Sequence, residues 1–209
     1  MSESGREPPE TRDLLDKLQA GEADALDRLF AQHGEYLRRV VELRLDGKLR
    51  RRVDPSDVVQ ETHLEVTRRI DDYLRRRPMS FRLWLRKTAH ERLIMLYRRH
   101  VDAHRRALTR EVSLPGRSSV ALAGQLLAGG PSPSQEARRR EMAERVREAV
   151  DRLTEGDREI ILMRNFEELT NQEVAELLQI NPVAASKRYG RALLRLRDAL
   201  VELGLSGTH

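Results

Sequence analysis

A short run near the C-terminal end of the chain combines small side chains with basic ones. Its members are Ala184, Ala185, Ser186, Lys187, Arg188 and Arg191. Small residues let a helix backbone approach the edges of base pairs, while guanidinium and ammonium groups bind phosphate oxygens or guanine. The pattern therefore favours a helix that reads duplex DNA in the major groove. A helical hairpin with a solvated basic face is the alternative.

A second candidate surface lies near the middle of the N-terminal half. Asp57, Gln60, Glu61 and Leu64 recur at helical spacing and fall outside the apolar stripe of the same predicted helix. A face that mixes acidic, amide and apolar groups suits docking to a basic helical partner. An ordinary solvated helix face would have a similar composition, so the residues alone leave both interpretations open.

The segment that begins at Phe81 is apolar over more than one face and carries the only tryptophan, Trp84. Core packing is one interpretation of Trp84. The other is a surface that meets unstacked bases, because aromatic rings and guanidinium groups stack on single-stranded nucleic acid. On the second interpretation the surrounding basic side chains follow the phosphates; these are Arg82, Arg86, Lys87, Arg92, Arg98 and Arg99.

Residues that could support catalysis are sparse. His90-Glu91 begins like the zinc-protease motif His-Glu-x-x-His, but the second histidine is absent. His100 and His104 have the spacing of metal ligands on a helix, yet only Asp102 stands nearby. The sequence contains no Gly-rich phosphate loop, nucleophile elbow or paired catalytic carboxylates. We therefore predict neither an enzymatic activity nor a metal or other cofactor.

The composition is typical of small helical domains with wide solvated faces. Hydrophobic residues make up 39% and charged residues 35% of the 209 residues, and aromatic residues only 4%. Runs of Val, Ile and Thr that would favour strands are missing. The net charge of +5 is the difference between 39 basic and 34 acidic residues, so it says less than the local arginine clusters. Those clusters reflect either a GC-rich genome or contacts with nucleic acid.

The compartment can also be predicted from the sequence. The chain has no cysteine, which excludes disulfides and thiolate metal sites. Its first residues have no apolar signal core, and no apolar run approaches the roughly 20 residues that span a bilayer. We expect a cytoplasmic protein without membrane contact.

Periodicity and capping residues predict an all-α chain of two small domains. Residues 1–10 are polar and expected to be disordered. In the first domain, residues 11–101, helices are predicted at 11–20, from about 22 to a break at His33-Gly34, and at 36–45, 54–73 and 81–101. Asp54 and Pro55 open the fourth helix as cap and first residue. Its core stripe is Val59, Thr62, Val66, Ile70 and Tyr73.

Turn-forming and helix-capping residues divide the second half of the chain into segments. Residues 102–137 are rich in Pro, Gly and Ser and are predicted to be a linker. The second domain covers residues 138–203, and residues 204–209 form a tail. Thr154, Thr170 and Asn181 are predicted helix caps, and Glu173 completes a capping box with Thr170. The turn before Pro182 then separates the two helices of a helix-turn-helix.

Taken in order, these blocks resemble the sigma-70 family of bacterial RNA polymerase sigma factors, in the small extracytoplasmic function group. The resemblance covers about residues 11–101 and 138–201. It rests on three motifs, DPSDVVQETHLEV from residue 54, FRLWLRKTAHERL from residue 81, and LTEGDREIILMRNFEELTNQEVAELLQI from residue 153. In the second motif the family usually has Asn where this chain has Glu91. In the recognition helix a usual His is Gly190.

The resemblance implies a transcription initiation factor that has no chemistry of its own. By the family motif Asp54, Asp57, Gln60, Glu61 and Leu64 would bind the coiled coil of the polymerase β′ subunit. The segment around Trp84, with its basic residues, would melt and read the −10 promoter element. The final helix would read the −35 element. The β flap of core polymerase is a further implied partner. The implied partners are core RNA polymerase, promoter DNA and, in many members of the group, an anti-sigma factor.

Other functions stay open from the residues alone. A free-standing helix-turn-helix regulator would bind its operator tightly without polymerase. A helical adaptor would use its basic faces for acidic proteins and make no sequence-dependent contact with DNA. Both would share the helical architecture, so only binding behaviour separates them from a sigma factor.

Overall fold

The structure is a computed structural model that describes residues 7–45, 53–107, 142 and 144–205. Helices are the only regular secondary structure in these ranges, which confirms the predicted all-α class. Contacts divide the chain into two compact units. One comprises Met1–Glu42 and Arg51–Ser113; the other comprises Leu43–Arg50 and Leu114–His209. Within the described ranges, no helix combines the length and apolar character needed to cross a membrane.

The N-terminal unit contains four helices. These are α1 (Pro9–Gln19), α2 (Asp24–Glu42), α3 (Pro55–Arg76) and α4 (Phe81–Ala107). Helix α2 packs against each of the other three, and α3 packs against α4. Leu29, Leu37, Phe81 and Leu85 are fully buried at these contacts. Burial of large apolar side chains on every helix gives this unit a core of its own.

The predicted break at His33-Gly34 is wrong, because α2 runs without interruption from Asp24 to Glu42. A glycine inside a helix costs about 1 kcal/mol relative to alanine. The next turns of α2 bury Leu37, Val40 and Val41. Each such burial is worth about 1.5–3 kcal/mol, so continuing the helix outweighs the cost of the glycine.

Several predicted boundaries also shift. Helix α1 begins at Pro9, inside the stretch expected to be disordered, and proline is well suited to the first helical position. Helix α3 extends to Arg76 and ends at Arg77, whose φ of 37° is left-handed. Its buried stripe includes Val58 where Val59 was predicted; Thr62, Val66, Ile70 and Tyr73 are buried as expected. Helix α4 continues to Ala107, and residues 108–137 of the predicted linker lie outside the described ranges.

The C-terminal unit contains α5 (144–151), α6 (Glu155–Asn165), α7 (Asn171–Leu178) and α8 (Pro182–Glu202). The predicted caps of the last three helices are confirmed. Thr154 Oγ1 accepts a hydrogen bond from the Asp157 amide, Thr170 and Glu173 form the full capping box, and Asn181 Oδ1 accepts from the Ala184 amide. These caps fix where each helix starts and therefore which residues α8 presents.

A buried ion-pair cluster lies in the same unit. The guanidinium of Arg44 donates to Glu159 Oε1 at 2.8 Å and also to Glu167, and Arg44 and Glu167 are both buried. Burial alone would lower the pKa of Arg44, but the charges of Glu159 and Glu167 more than offset it and raise that pKa above its usual value. Arg44 is thus held as a cation between two carboxylates.

Candidate nucleic-acid and protein interfaces

The outward face of α3 has the composition that the sequence predicted. Asp57, Gln60 and Leu64 are exposed, and Glu61 is half-buried beside them. Their spacing of three and four residues places all four on one side of the helix. Leu64 is 59% exposed and is the apolar residue of this face. The face therefore offers acidic and amide groups around an apolar centre.

Asp54, which precedes this face, has a structural role in α3. Its Oδ1 accepts a hydrogen bond of 2.8 Å from the Ser56 amide at the start of the helix. The hydrogen bonds from Ser56 lower the pKa of the Asp54 carboxyl below its usual value. Asp54 thus sets the beginning of α3 and the rotation at which Asp57 and Gln60 are presented.

Trp84 packs in the core of the N-terminal unit. Its ring stacks on Tyr73, with centroids 4.5 Å apart, and lies 5.8 Å from the ring of Phe81. Trp84 and Arg86 are both almost fully buried. This corrects the expectation that the two side chains meet DNA, because neither can reach a base or phosphate without leaving the core. The core interpretation of Trp84 is the one that the packing supports.

The other basic residues of α4 differ in how they are engaged. Arg82 lies over the ring of Tyr36, with the guanidinium carbon 4.4 Å from the centroid. Arg92 is half-buried and its Nη1 lies 3.5 Å from Glu65 Oε2. Lys87, Arg98 and Arg99 are exposed. Lys87 and Arg98 are eleven residues apart, which is close to three helical turns and places them on the same side of α4.

Glu91 lies on that same side of α4, where the family usually has asparagine. Its Oε2 accepts a hydrogen bond of 3.0 Å from Arg69 Nη1 on α3. A carboxylate paired with an arginine repels a neighbouring phosphate less than an unpaired one. This pair could not be predicted from the sequence, since Arg69 and Glu91 are 22 residues apart.

Helices α7 and α8 form the predicted helix-turn-helix. Helix α7 ends at Leu178, Gln179 adopts a left-handed conformation with a φ of 54°, and α8 begins at Pro182. Asn171 Nδ2 at the start of α7 donates a hydrogen bond of 2.6 Å to the Pro182 carbonyl. The turn is therefore held from both sides, which fixes the direction in which α8 leaves it.

The inner side of α8 anchors the helix to the rest of its unit. Ala185 and Ala192 are fully buried, and their small side chains allow α8 to pack closely. The Tyr189 hydroxyl donates a hydrogen bond of 2.6 Å to Asn165 Oδ1 at the end of α6. Ala185 was expected to approach base edges. Its burial corrects that expectation, because Ala185 faces the protein interior.

The outer side of α8 presents one continuous stripe. Its exposed members are Val183, Ser186, Lys187, Gly190, Arg191 and Leu194. Basic, small and apolar groups alternate along it, and Val183 is 64% exposed. A methyl-bearing side chain in such a place can contact a thymine methyl group. Val183 and Leu194 were not predicted as site residues, because the prediction relied on polar and small side chains. Their helical spacing from Lys187 was the available signal.

A further polar cluster lies beside this stripe, at the first turn of α6. Arg195 Nη1 lies 2.5 Å from Asp157 Oδ2, and Thr154 Oγ1 donates to the same oxygen at 2.8 Å. Burial would raise the pKa of Asp157. The hydrogen bonds from Arg195 and Thr154 and the charges of Arg195 and Arg188 more than offset it, so the pKa is lowered. Asp157 is thus ionised and already engaged at neutral pH.

No group of three or more His, Asp or Glu side chains suited to a metal ion occurs in the part of the chain that the structure describes. The candidate sites described above are the surfaces of α3, α4 and α8. All three suit non-covalent recognition of macromolecules.

Comparison with known proteins matches two separate parts of the chain to two family models. Residues 29–102 match the family described as Sigma-70 region 2, and residues 143–196 match Sigma-70, region 4. The RNA polymerase sigma factor CnrH of Cupriavidus metallidurans is 30% identical over 194 residues, which cover 92% of this chain and 96% of CnrH. The RNA polymerase sigma factor CarQ of Myxococcus xanthus is 27% identical over 91% of this chain and 98% of CarQ.

A solved structure is similar in fold. It is described as the structure of CnrH in complex with the cytosolic domain of CnrY, and it covers 92% of this chain and 97% of its own. The TM-score is 0.56 and the aligned residues are 22% identical. At that identity the likeness concerns the fold.

Proposed function

The chain belongs to the sigma-70 family of RNA polymerase sigma factors, in the extracytoplasmic function group, and on that premise we propose how its surfaces divide the work of transcription initiation. Its role is that of a transcription initiation factor. The proposal concerns the steps within that role: binding of core polymerase by α3, contact with the −10 element by α4, and reading of the −35 element by α8. By the same proposal, residues 11–101 carry the first two steps and residues 138–203 the third.

The exposed face of α3 is the proposed contact with the coiled coil of the polymerase β′ subunit. The observation that carries this step is the position of Leu64, an exposed leucine surrounded by Asp57, Gln60 and Glu61. A buried apolar centre with a polar rim is the usual anatomy of a specific protein interface. The acidic rim would select a basic helical partner and orient it.

Helix α4 is the proposed −10 surface, with a smaller set of residues than the sequence indicated. Lys87, Arg98 and Arg99 are exposed and available to phosphates, and Arg82 and Arg92 lie at the edges of the same helix. Phosphate contacts position a protein on DNA without reading sequence. We therefore propose that α4 binds the phosphates of the promoter strand. Trp84 would stabilise α4 from the core.

Helix α8 is the proposed reader of the −35 element. Ser186, Lys187 and Arg191 lie on its exposed stripe, and Ala184 is half-buried near its start. Gly190 in the middle of the stripe leaves room for a close approach to the groove. A recognition helix needs this combination of anchored inner side and accessible outer side.

A protein that controls access to these surfaces is a further proposed partner. CnrH has a structure in complex with the cytosolic domain of CnrY. By analogy, we propose that this chain has an anti-sigma factor. If the anti-sigma factor covers the α3 face, it would compete with core polymerase for this protein. The protein would then co-purify with the anti-sigma factor or with core polymerase, but not with both.

Run-off transcription on a genomic promoter library tests the proposal. Core polymerase with the protein should give specific new transcripts that neither component gives alone. No transcripts, together with a shift of particular DNA fragments by the protein alone, would favour a free-standing regulator and refute the initiation steps proposed here.

The α3 step has its own variant and a matched control. Replacing both Gln60 and Glu61 with alanine should cut co-purification with core polymerase. Gln32 and Glu35 are the same two residue types, exposed on α2. Their double alanine variant should co-purify like the wild type. Equal retention of both variants on the core enzyme would refute the α3 contact.

A further inference from the structure

A cavity of about 350 Å³ opens beside the α8 stripe, within the C-terminal unit. Its walls are the first turn of α6 and one flank of α8, with Ile180 of the turn between α7 and α8. The side chains that give it its character are Thr154, Asp157, Arg188, Arg191 and Arg195. Three guanidinium groups thus converge on one space together with a single carboxylate.

Gly156 determines how Arg188 enters this cavity. A Cβ atom added to Gly156 would lie 2.0 Å from Arg188 Nη2 and 3.2 Å from its Cζ. The guanidinium therefore rests against the backbone of the first turn of α6, in space that any side chain at position 156 would fill. The backbone of Gly156 does not have a positive φ, so its conformation does not require glycine. Proximity to Arg188 is the physical reason that the structure gives for a glycine there.

The charge in the cavity is unbalanced. Asp157 is engaged by Arg195 and Thr154, and it neutralises one of the three guanidinium groups. The charge of Arg188 also acts on Asp157, but neither Arg188 nor Arg191 forms an ion pair in the part of the chain that the structure describes. The partial positive charge at the start of α6 adds to theirs. An anion of one or two charges would balance the site.

The position of Arg188 on α8 indicates the source of that anion. The exposed stripe runs through Val183, Lys187 and Leu194, and Arg188 projects from its flank towards α6. When a recognition helix lies in the major groove, its stripe faces the bases and its flanks face the sugar-phosphate walls. A backbone phosphate is thus the group that the cavity would meet.

We propose that this cavity holds a backbone phosphate of the promoter duplex, with Arg188 and Arg191 as donors and Gly156 as the residue that positions Arg188. The inference rests on the proposed reading of DNA by α8, and for Arg188 it favours the phosphate over the guanine contact that the sequence left open. Arg188 and Arg191 set the register of α8 in the groove, and the selection of sequence belongs to the other residues of the stripe.

The test measures binding of full-length protein with core polymerase to a promoter obtained from the run-off library and to an unrelated duplex of equal length. Arg188→Ala should weaken both complexes by the same factor. It should also lower the slope of log K against log salt concentration by about one. The ratio of wild-type to variant affinity should then fall about 3- to 4-fold between 50 and 200 mM salt.

Two further variants separate positioning from folding. Gly156→Ala displaces only the far end of a flexible arginine, so the melting temperature should be at or above that of wild type, and binding should fall in the same sequence-independent way. Arg197, on the same helix but outside the cavity, pairs with Asp198. Arg197→Ala is therefore the control. It should leave two quantities close to their wild-type values: the ratio of the affinities for promoter and unrelated DNA, and the slope of log K against log salt concentration.

Two results would overturn the proposal. One is a loss by Arg188→Ala that is confined to the promoter, with an unchanged salt slope, which would make Arg188 a base reader. The other is wild-type binding by both Arg188→Ala and Gly156→Ala. Failure of the proposed function is distinguishable, because the wild-type protein would then direct no specific transcript and form no specific complex with core polymerase.

Discussion

Replacing Gly190 with alanine should stabilise the free protein and weaken its function. Gly190 is exposed in the middle of α8, and a Cβ added there meets nothing within 4 Å. Alanine in a helix interior is favoured over glycine by about 1 kcal/mol. The equilibrium constant for opening of α8 should therefore fall about fivefold, since RT is about 0.59 kcal/mol. In the proposed complex the same methyl group would stand between the helix and the groove, so promoter-specific transcription should fall.

Amide hydrogen exchange measures the first effect and run-off transcription the second. Exchange of the α8 amides should slow about fivefold where it proceeds through opening of that helix. Gly34→Ala is the matched control, because Gly34 also lies inside a helix with open space around its missing Cβ. It should stabilise α2 by a similar amount and leave transcription unchanged.

The two readouts can fail separately. Unchanged exchange in α8 would refute the reasoning from helix propensity, because nothing in the described structure opposes a methyl group at position 190. Full transcription by Gly190→Ala would refute the close approach of that residue to DNA. Loss of transcription by Gly34→Ala would show that helix stiffening alone impairs function.

Three other perturbations have defined outcomes. Burial and the charge of Arg82 lower the pKa of His33 to about 4, so as the pH falls the unfolded chain takes up this proton before the folded protein does. The free energy of unfolding should therefore drop by about 2 kcal/mol from pH 7 to 5. His33→Phe should flatten that pH dependence, as measured by chemical denaturation. Thr170→Ala removes half of the capping box and should cost about 1 kcal/mol, measured by thermal melting, with Thr170→Ser as the conservative control. Arg44→Ala leaves Glu167 buried without its cation and should destabilise the C-terminal unit by about 3–5 kcal/mol, whereas a loss below 1 kcal/mol in urea denaturation would refute the buried pair.

The C-terminal helices were predictable because local chemistry sets their boundaries. Thr154, Thr170 and Asn181 each bond to an amide within three residues, so the signal and its effect lie in the same short window. The turn into α8 followed from Pro182, which suits the first position of a helix. The candidate faces were predicted from residue types and helical spacing, and the resemblance added the partners that each face would meet.

The features that the sequence did not reveal depend on contacts between distant residues. The histidine-glycine pair in α2 is a helix breaker by local propensity, but burial of later apolar residues overrides it. Trp84 is buried because Tyr73 and Phe81 come together around it. The proximity of Gly156 and Arg188, 32 positions apart in the sequence, is likewise invisible before folding. A glycine at the second position of a helix gives no sequence signal of what it accommodates.

Pairing across the fold also explains why the number of basic residues overstates the surface available to DNA. Three arginines have carboxylate partners that lie far from them in the sequence: Arg69 with Glu91, Arg92 with Glu65, and Arg195 with Asp157. Each of these pairs cancels a charge that could attract a phosphate. Lys187 and Arg191 lie on the α8 stripe without an acidic partner in the described residues. A DNA interface is therefore better located by the cations that folding leaves unpaired than by the density of arginine along the chain.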